Sequence, residues 1–166
     1  VPLSIDYGFF SAKPDNVKSV AEKFGYADSE FVIISVAQIR RHKRFDDVMR
    51  ALKIVREKIP SAKFLAVGED WLPRQNLPDI MATAAEIGVK DSVIWTGFQD
   101  MSALRALLHS STAFVHGADN EYQGLVSYEA AACGVPLCLS NIGTHTSVFG
   151  DYALYHEVTD HETLAK

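Results

Sequence analysis

Residues Glu121 to Leu137 read EYQGLVSYEAAACGVPL and hold two carboxylates, Glu121 and Glu129, eight positions apart around Gly124. Just ahead, Thr112 to Val115 form an apolar run that predicts a buried strand. A strand, a short loop and a glycine opening a helix together build an anion site. The first-turn N–H groups of a helix lack internal partners, and the helix dipole adds partial positive charge there. A carboxylate in such a loop repels a phosphate, so its use is to hydrogen-bond a neighbouring group such as a sugar hydroxyl. Glu129 lies about 7–8 Å further along the helix axis than Gly124, at ~1.5 Å per residue, within reach of a second hydroxyl such as one on a ribose.

Outward from this segment, strands and helices alternate. Phe31 to Val36 is a continuous apolar run and predicts a strand buried on both faces. Phe45 to Ile59 places Val48, Met49, Leu52, Val55 and Ile59 at helical spacing, stopped by Pro60. Further strands are expected at Lys63–Val67, Val93–Trp95, Ala113–Val115, Pro136–Leu139 and Tyr152–Tyr155. Further helices are expected at Asp15–Phe24, Asp79–Ile87, Met101–His109, Gly124–Cys133 and from His161 onward. Residues 1–13 read as extended, an inter-domain segment leading into a domain over 14–166. The fold class is α/β: a doubly wound, Rossmann-like parallel sheet with right-handed crossovers. Ligands bind such sheets beyond the carboxyl ends of the strands. There the sequence gathers Arg40 to Arg44, Gly68 to Asp70, Thr96 with Gly97 and Phe98, Gly117 to Glu121, and Asn141 to His145.

Composition narrows the function. The chain has 166 residues, 48% hydrophobic, and a net charge of −5, which argues against general nucleic-acid binding. No apolar run approaches the ~20 residues of a membrane span. Val1 to Phe10 lacks a basic start and contains Asp6, unlike a signal peptide, and the missing initiator Met suits a fragment of a longer protein. Cys133 and Cys138 make no disulfide framework and read as core thiols of a reduced, cytoplasmic protein.

Arg40, Arg41, His42, Lys43 and Arg44 form the one basic cluster. Charge runs are commonly solvated loops; position after a buried strand on an acidic chain favours a diphosphate clamp. Two glutamates at this spacing arise readily by chance, but Glu129 lies among Tyr128, Ala130, Ala131 and Ala132, small residues suited to close helix–sheet packing. The pair suits a glycosidase poorly, since a retaining pair needs carboxyls ~5 Å apart. None of the six histidines stands at metal-ligand spacing, and His109, His156 and His161 read as structural or surface residues. Trp71 and Trp95 read as packing residues. The chain has no GxGxxG after the first strand, no phosphate-binding GxxxxGK[ST] and no GxSxG elbow.

These blocks resemble the C-terminal, nucleotide-sugar-binding domain of retaining glycosyltransferases of GT-B fold, the glycogen-synthase-like group four. The opening VPLSID resembles the passage into that domain, with Ser4 where the family usually has Gly. SVAQIRRHKRFDDVMRAL resembles its phosphate-binding loop and helix, and FLAVGED, VIWTGF and Glu121–Leu137 follow in order. The resemblance implies that Glu121 faces the donor sugar and is catalytic, and that Glu129 binds the nucleotide ribose. It places Gly97 and Phe98 in the substrate site, with the backbone at Gly124, Leu125 and Val126 near the diphosphate. The family's basic pair falls on Lys43 and on Gln38, which carries no charge and leaves Arg40 or Arg41 to supply it. Tyr122 and Gln123 stand for the usual Gly and Phe, and Gly117 with Ala118 for Pro–Ser.

The resemblance further implies a hexose-type transfer from a nucleotide-diphosphate sugar without a metal or other cofactor, and an acceptor site on an absent N-terminal domain. The isolated chain is then expected to be inactive. Two other readings stay open: a nucleotide-sugar epimerase of the same fold, and a degenerate nucleotide-binding or scaffold domain.

Overall fold

The apolar run after Phe31 becomes strand β1 (Val32–Val36), whose first four residues are buried. Val32 and Ile34 enter one hydrophobic cluster and Ile33 another, so both faces are covered and no polar alternation appears. The same division runs through β2 (Lys63–Val67), where Leu65 and Val67 face the first cluster and Phe64 and Ala66 the second. The sheet is completed by β3 (Val93–Gly97), β4 (Ala113–His116), β5 (Leu137–Ser140) and β6 (Leu154–His156). Strand order is β3-β2-β1-β4-β5-β6, with every pairing parallel. The order reverses between β1 and β4, which is where a doubly wound sheet opens a crevice beyond its carboxyl edge.

This computed structural model describes residues 4–27, 30–70 and 76–166. Among them the helices are α1 (Tyr7–Ser11), α2 (Val17–Lys23), α3 (Phe45–Lys58), α4 (Asn76–Glu86), α5 (Met101–His109), α6 (Leu125–Ala132), α7 (Gly143–Phe149) and α8 (His161–Leu164). Phe10, Ala21, Leu107, Leu108, Ala130 and Phe149 bring α1, α2, α5, α6 and α7 onto one face. Helices α3, α4 and α8 cover the other through Val48, Met49, Leu52, Ile80, Ala84 and Leu164. In α3 the buried stripe is Phe45, Val48, Met49 and Leu52, the i, i+3, i+4, i+7 spacing of an amphipathic helix. Asp46 and Asp47 in its first turn and Arg56 and Lys58 in its last complement the helix dipole.

Three readings of the sequence need correction. The segment expected to be extended contains α1, because Asp6 caps it by accepting a hydrogen bond from the Phe9 N–H at 2.9 Å and Phe10 is wholly buried. Arg105 and His109 of α5 reach the Phe9 and Phe10 carbonyls at 3.0 and 2.8 Å and fix it to the domain. A helix, α7, follows β5 where the sequence showed loop residues; its Thr, Ser and Val residues are weak helix formers, held by burial of His145 and Phe149. Strand β3 runs on to Gly97 with a bulge: Ala66 pairs Trp95 but Val67 pairs Gly97. Trp95 packs on Phe45 at 6.3 Å between ring centroids; Trp71 lies outside the described residues.

Cys133 and Cys138 are free thiols, packed against the opposite clusters, and burial pushes each up to about 11. Among the described residues no helix is long and apolar enough to cross a membrane.

Candidate functional site

The loops after β1 and β2 are laced together at the sheet edge. Ala37 N–H donates to the Val67 carbonyl at 3.0 Å, and Ile39 N–H to the Glu69 carbonyl at 2.9 Å. Gly68 lies beneath this crossing with φ +138°, and a Cβ there would stand 1.9 Å from the Ala37 carbonyl oxygen. The chain then makes a short 3-10 turn, Arg41–Lys43, and ends it at Arg44 in the left-handed region, φ +55°. The Arg44 guanidinium holds that turn, with Nε 2.8 Å from Asp47 Oδ2 and 3.5 Å from Asp119 Oδ1. Lys43 is thereby turned inward.

The loop after β4 meets it from the other side of the switch point. Asp119 N–H donates to the His42 carbonyl at 2.9 Å, and the Thr144 hydroxyl donates to the Glu121 carbonyl at 2.6 Å. Glu121 Oε1 accepts from the Tyr122 N–H at 2.9 Å, which leaves Oε2 facing Lys43 Nζ at 2.7 Å. His116 Nε2 lies 3.2 Å from the same Oε2, close but poorly aligned for a hydrogen bond. The His116 imidazole and the Lys43 ammonium hold the Glu121 carboxyl well below the usual carboxylate range, against the upward pull of burial. Gly124, φ +56°, then caps α6, whose first residues are Leu125 and Val126.

These pieces surround one cavity of about 550 Å³. Its wall includes Gln38, Lys43, Gly68, Phe98, Glu121, Gly124, Leu125 and Val126, so most of the residues singled out in the sequence converge there. Gly97, Glu129, Arg40 and Arg41 do not line it. Gly97 lies in an adjoining recess with Gly68, Asp70 and Trp95. Glu129 sits one turn beyond the cavity wall on α6; burial alone pushes its carboxyl up. Arg40 is not in that wall; the Asp70 carboxyl is held down chiefly by the Leu77 N–H, with Asn76 and, least, the Arg40 charge adding to it. Arg41 is engaged with Asp79 at 3.0 Å. Lys43 is therefore the one Lys or Arg in the cavity wall among the described residues, and Gln38 brings an amide where a second cation was sought.

The wall also includes His116, Gln99 and Gln123, which the sequence reading did not place in the site. His116 is the last residue of β4, at the binding edge, a position that marks any side chain there for inspection. Among the described residues no group of three or more His, Cys, Asp or Glu side chains is placed to hold a metal ion.

A doubly wound sheet with a cavity at its switch point has that cavity where folds of this class bind their ligands. The family model described as glycosyl transferases group 1 matches residues 16–166, and the chain belongs to that family. It is 30% identical over 143 residues to a D-inositol 3-phosphate glycosyltransferase of Segniliparus rotundus, covering 86% of this chain and 31% of that protein. It is 34% identical over 115 residues to a glycogen synthase of Mycobacterium tuberculosis, covering 67% and 26%. The chain thus spans about a third or less of these relatives. The fold matches HepE of Anabaena, a protein solved with UDP-glucose, at a TM-score of 0.88 and 18% identity over 98% of this chain and 44% of that one.

Proposed function

We propose that this chain is the donor-binding half of a retaining glycosyltransferase that moves a hexose-type sugar from a nucleotide-diphosphate sugar to an acceptor. The observation that carries the reading is the meeting of Lys43, Glu121 and the first turn of α6 around one cavity at the switch point. Lys43 and the free N–H groups of α6 are suited to the charge that develops on a departing diphosphate. Glu121 is suited to hold sugar hydroxyls, and Glu129 to accept from the ribose. Phe98, half turned to solvent at the rim, offers the nucleoside an aromatic face. In this reading no metal is needed, since the ammonium and helix N–H groups do that electrostatic work. The acceptor pocket and the wall that excludes water belong to a preceding domain, residues 1–13 lead from it, and the enzyme works in the cytoplasm.

A HepE structure holds UDP-glucose, which makes UDP and UDP-glucose the first probes. Calorimetric titration of the chain with UDP, GDP and ADP, with and without chelator, tests the proposal beside a sugar-release assay. Binding that survives chelator, without transfer by the chain alone, is expected. Gln38 and the pairing of Lys43 with Glu121 favour a second reading, a scaffold domain that has lost its donor; absence of binding to all three nucleotides would establish it over the first. Transfer by the isolated chain would overturn the half-enzyme reading.

A further inference from the structure

We infer that His116 is a positioning residue: its Nε2–H is the donor that keeps the Glu121 carboxylate aimed into the cavity when Lys43 turns to a bound anion. The inference rests on the donor-site reading above. The His116 side chain is 4% exposed, and its ring is fixed on two sides. Phe114, two residues earlier on β4, stacks on it at 6.1 Å, and the His145 ring meets it edge-on at 5.3 Å. Nε2 has no aligned partner, and Glu121 Oε2, at 3.2 Å, is the acceptor within reach. A buried donor left without an acceptor is costly, so this atom is either a standing defect or a contact completed in another state.

The second state follows from Lys43. Its ammonium lies on Glu121 Oε2 at 2.7 Å. It is also the one Lys or Arg in the described wall, beside the free N–H groups of α6. A phosphate entering there draws the ammonium toward itself. Glu121, only 15% exposed, then needs another donor on Oε2 to remain ionised and oriented. Lys43 reaches this carboxylate from the turn after β1 and His116 from β4, while His145 faces the pair from α7. His145 does not compete: its Nδ1 lies 3.0 Å from the Ser140 carbonyl, and burial holds the imidazole below its ordinary range.

The test uses the chain as it stands, uniformly labelled, in the wild type and in His116→Gln and His116→Met. Gln returns an N–H near Nε2 and Met returns only bulk. Nitrogen-15 spectra of the wild-type imidazole are expected to show the proton on Nε2; a bare Nε2 overturns the inference without any variant. The carbon-13 titration of the Glu121 carboxyl is expected to move up by about one pH unit or more in His116→Met and to stay near wild type in His116→Gln. An unmoved midpoint in a folded His116→Met overturns it, as does an equal shift in both variants. Calorimetry with UDP and UDP-glucose then reads the consequence at the site. His116→Met is expected to lose about tenfold more affinity for UDP-glucose than for UDP, with His116→Gln recovering most of the difference. Equal losses for the two ligands overturn the positioning role. A wild type that binds neither ligand overturns the donor-site reading instead, and the link from His116 to Glu121 is then decided by the tautomer and the titration.

Discussion

Lys43 Nζ and Glu121 Oε2 stand 2.7 Å apart across the switch point, joining the loop after β1 to the loop after β4 from positions 78 residues apart. Both side chains are 15% exposed. The pair neutralises two charges that would each be costly alone at such burial. In the proposed donor site an incoming diphosphate would compete with Glu121 for the ammonium.

Lys43→Ala is expected to weaken UDP binding by about 1.5–3 kcal/mol, the loss of one charge-assisted contact. It also strands the Glu121 carboxylate, so the variant should be less stable than wild type at neutral pH. Arg40→Ala and Arg41→Ala should leave UDP affinity close to wild type, since Arg40 is not in the cavity wall and Arg41 is bound to Asp79. Calorimetry with all three variants checks this; equal UDP affinity in wild type and Lys43→Ala would remove Lys43 from the site.

The Glu121 carboxyl titrates lower in the folded chain than in the unfolded one. Its contribution to stability is therefore complete above the unfolded value, ~4.3, and is lost as pH falls through the folded value. Glu121→Gln removes this term. The stability gap between wild type and Glu121→Gln should be widest near neutral pH and should narrow as pH drops below about 4. Denaturant midpoints measured from pH 7 to pH 2 read the gap directly, and a gap that widens in acid would contradict the sign.

Glu129 carries the opposite sign. Burial raises its carboxyl in the folded state, so it costs stability increasingly as pH rises through and beyond the ordinary carboxylate range. Glu129→Gln should therefore melt slightly higher than wild type at pH 8. It should bind UDP more weakly, and far more so than the 2′-deoxy form, if the carboxylate accepts from ribose hydroxyls. Matched losses for the two nucleotides would mean that Glu129 does not read the ribose.

Gly68→Ala is expected to destabilise the chain by about 2–4 kcal/mol, combining a positive φ with a collision. The new Cβ would fall 1.9 Å from a backbone oxygen, that of Ala37, which has no rotamer by which to escape. Urea unfolding measures it. A variant as stable as wild type would show that the two laced loops move apart freely.

The sheet and most of its helices were legible in the sequence because local pattern carries them. An unbroken apolar run such as Phe31–Val36 suits a strand covered on both faces, and the spacing of Val48, Met49 and Leu52 suits only a helix with one buried stripe. Gly124 opening α6 was legible for the same reason, since few residues other than glycine take its left-handed conformation readily. Helix α1 escaped because its evidence is a single cap, Asp6, and one buried ring, Phe10, which gains its burial from α5 and α6 far along the chain.

The chemistry of the site divides along the same line. Residue type and position at a strand's carboxyl end are local properties, and they marked the Arg40–Arg44 cluster, Glu121 and the α6 start; the family resemblance then pointed to Lys43 within the cluster. Which of the basic residues enters the cavity was decided by the tertiary structure: the left-handed Arg44, tied to Asp47 and Asp119, turns Lys43 inward, while Asp79 engages Arg41 and Arg40 stays out of the wall. The partnership of Glu121 with Lys43 and His116 is likewise tertiary. Ionisation of a buried carboxylate depends on the distances to charges and donors brought from three separate elements, and no spacing along the chain encodes those distances.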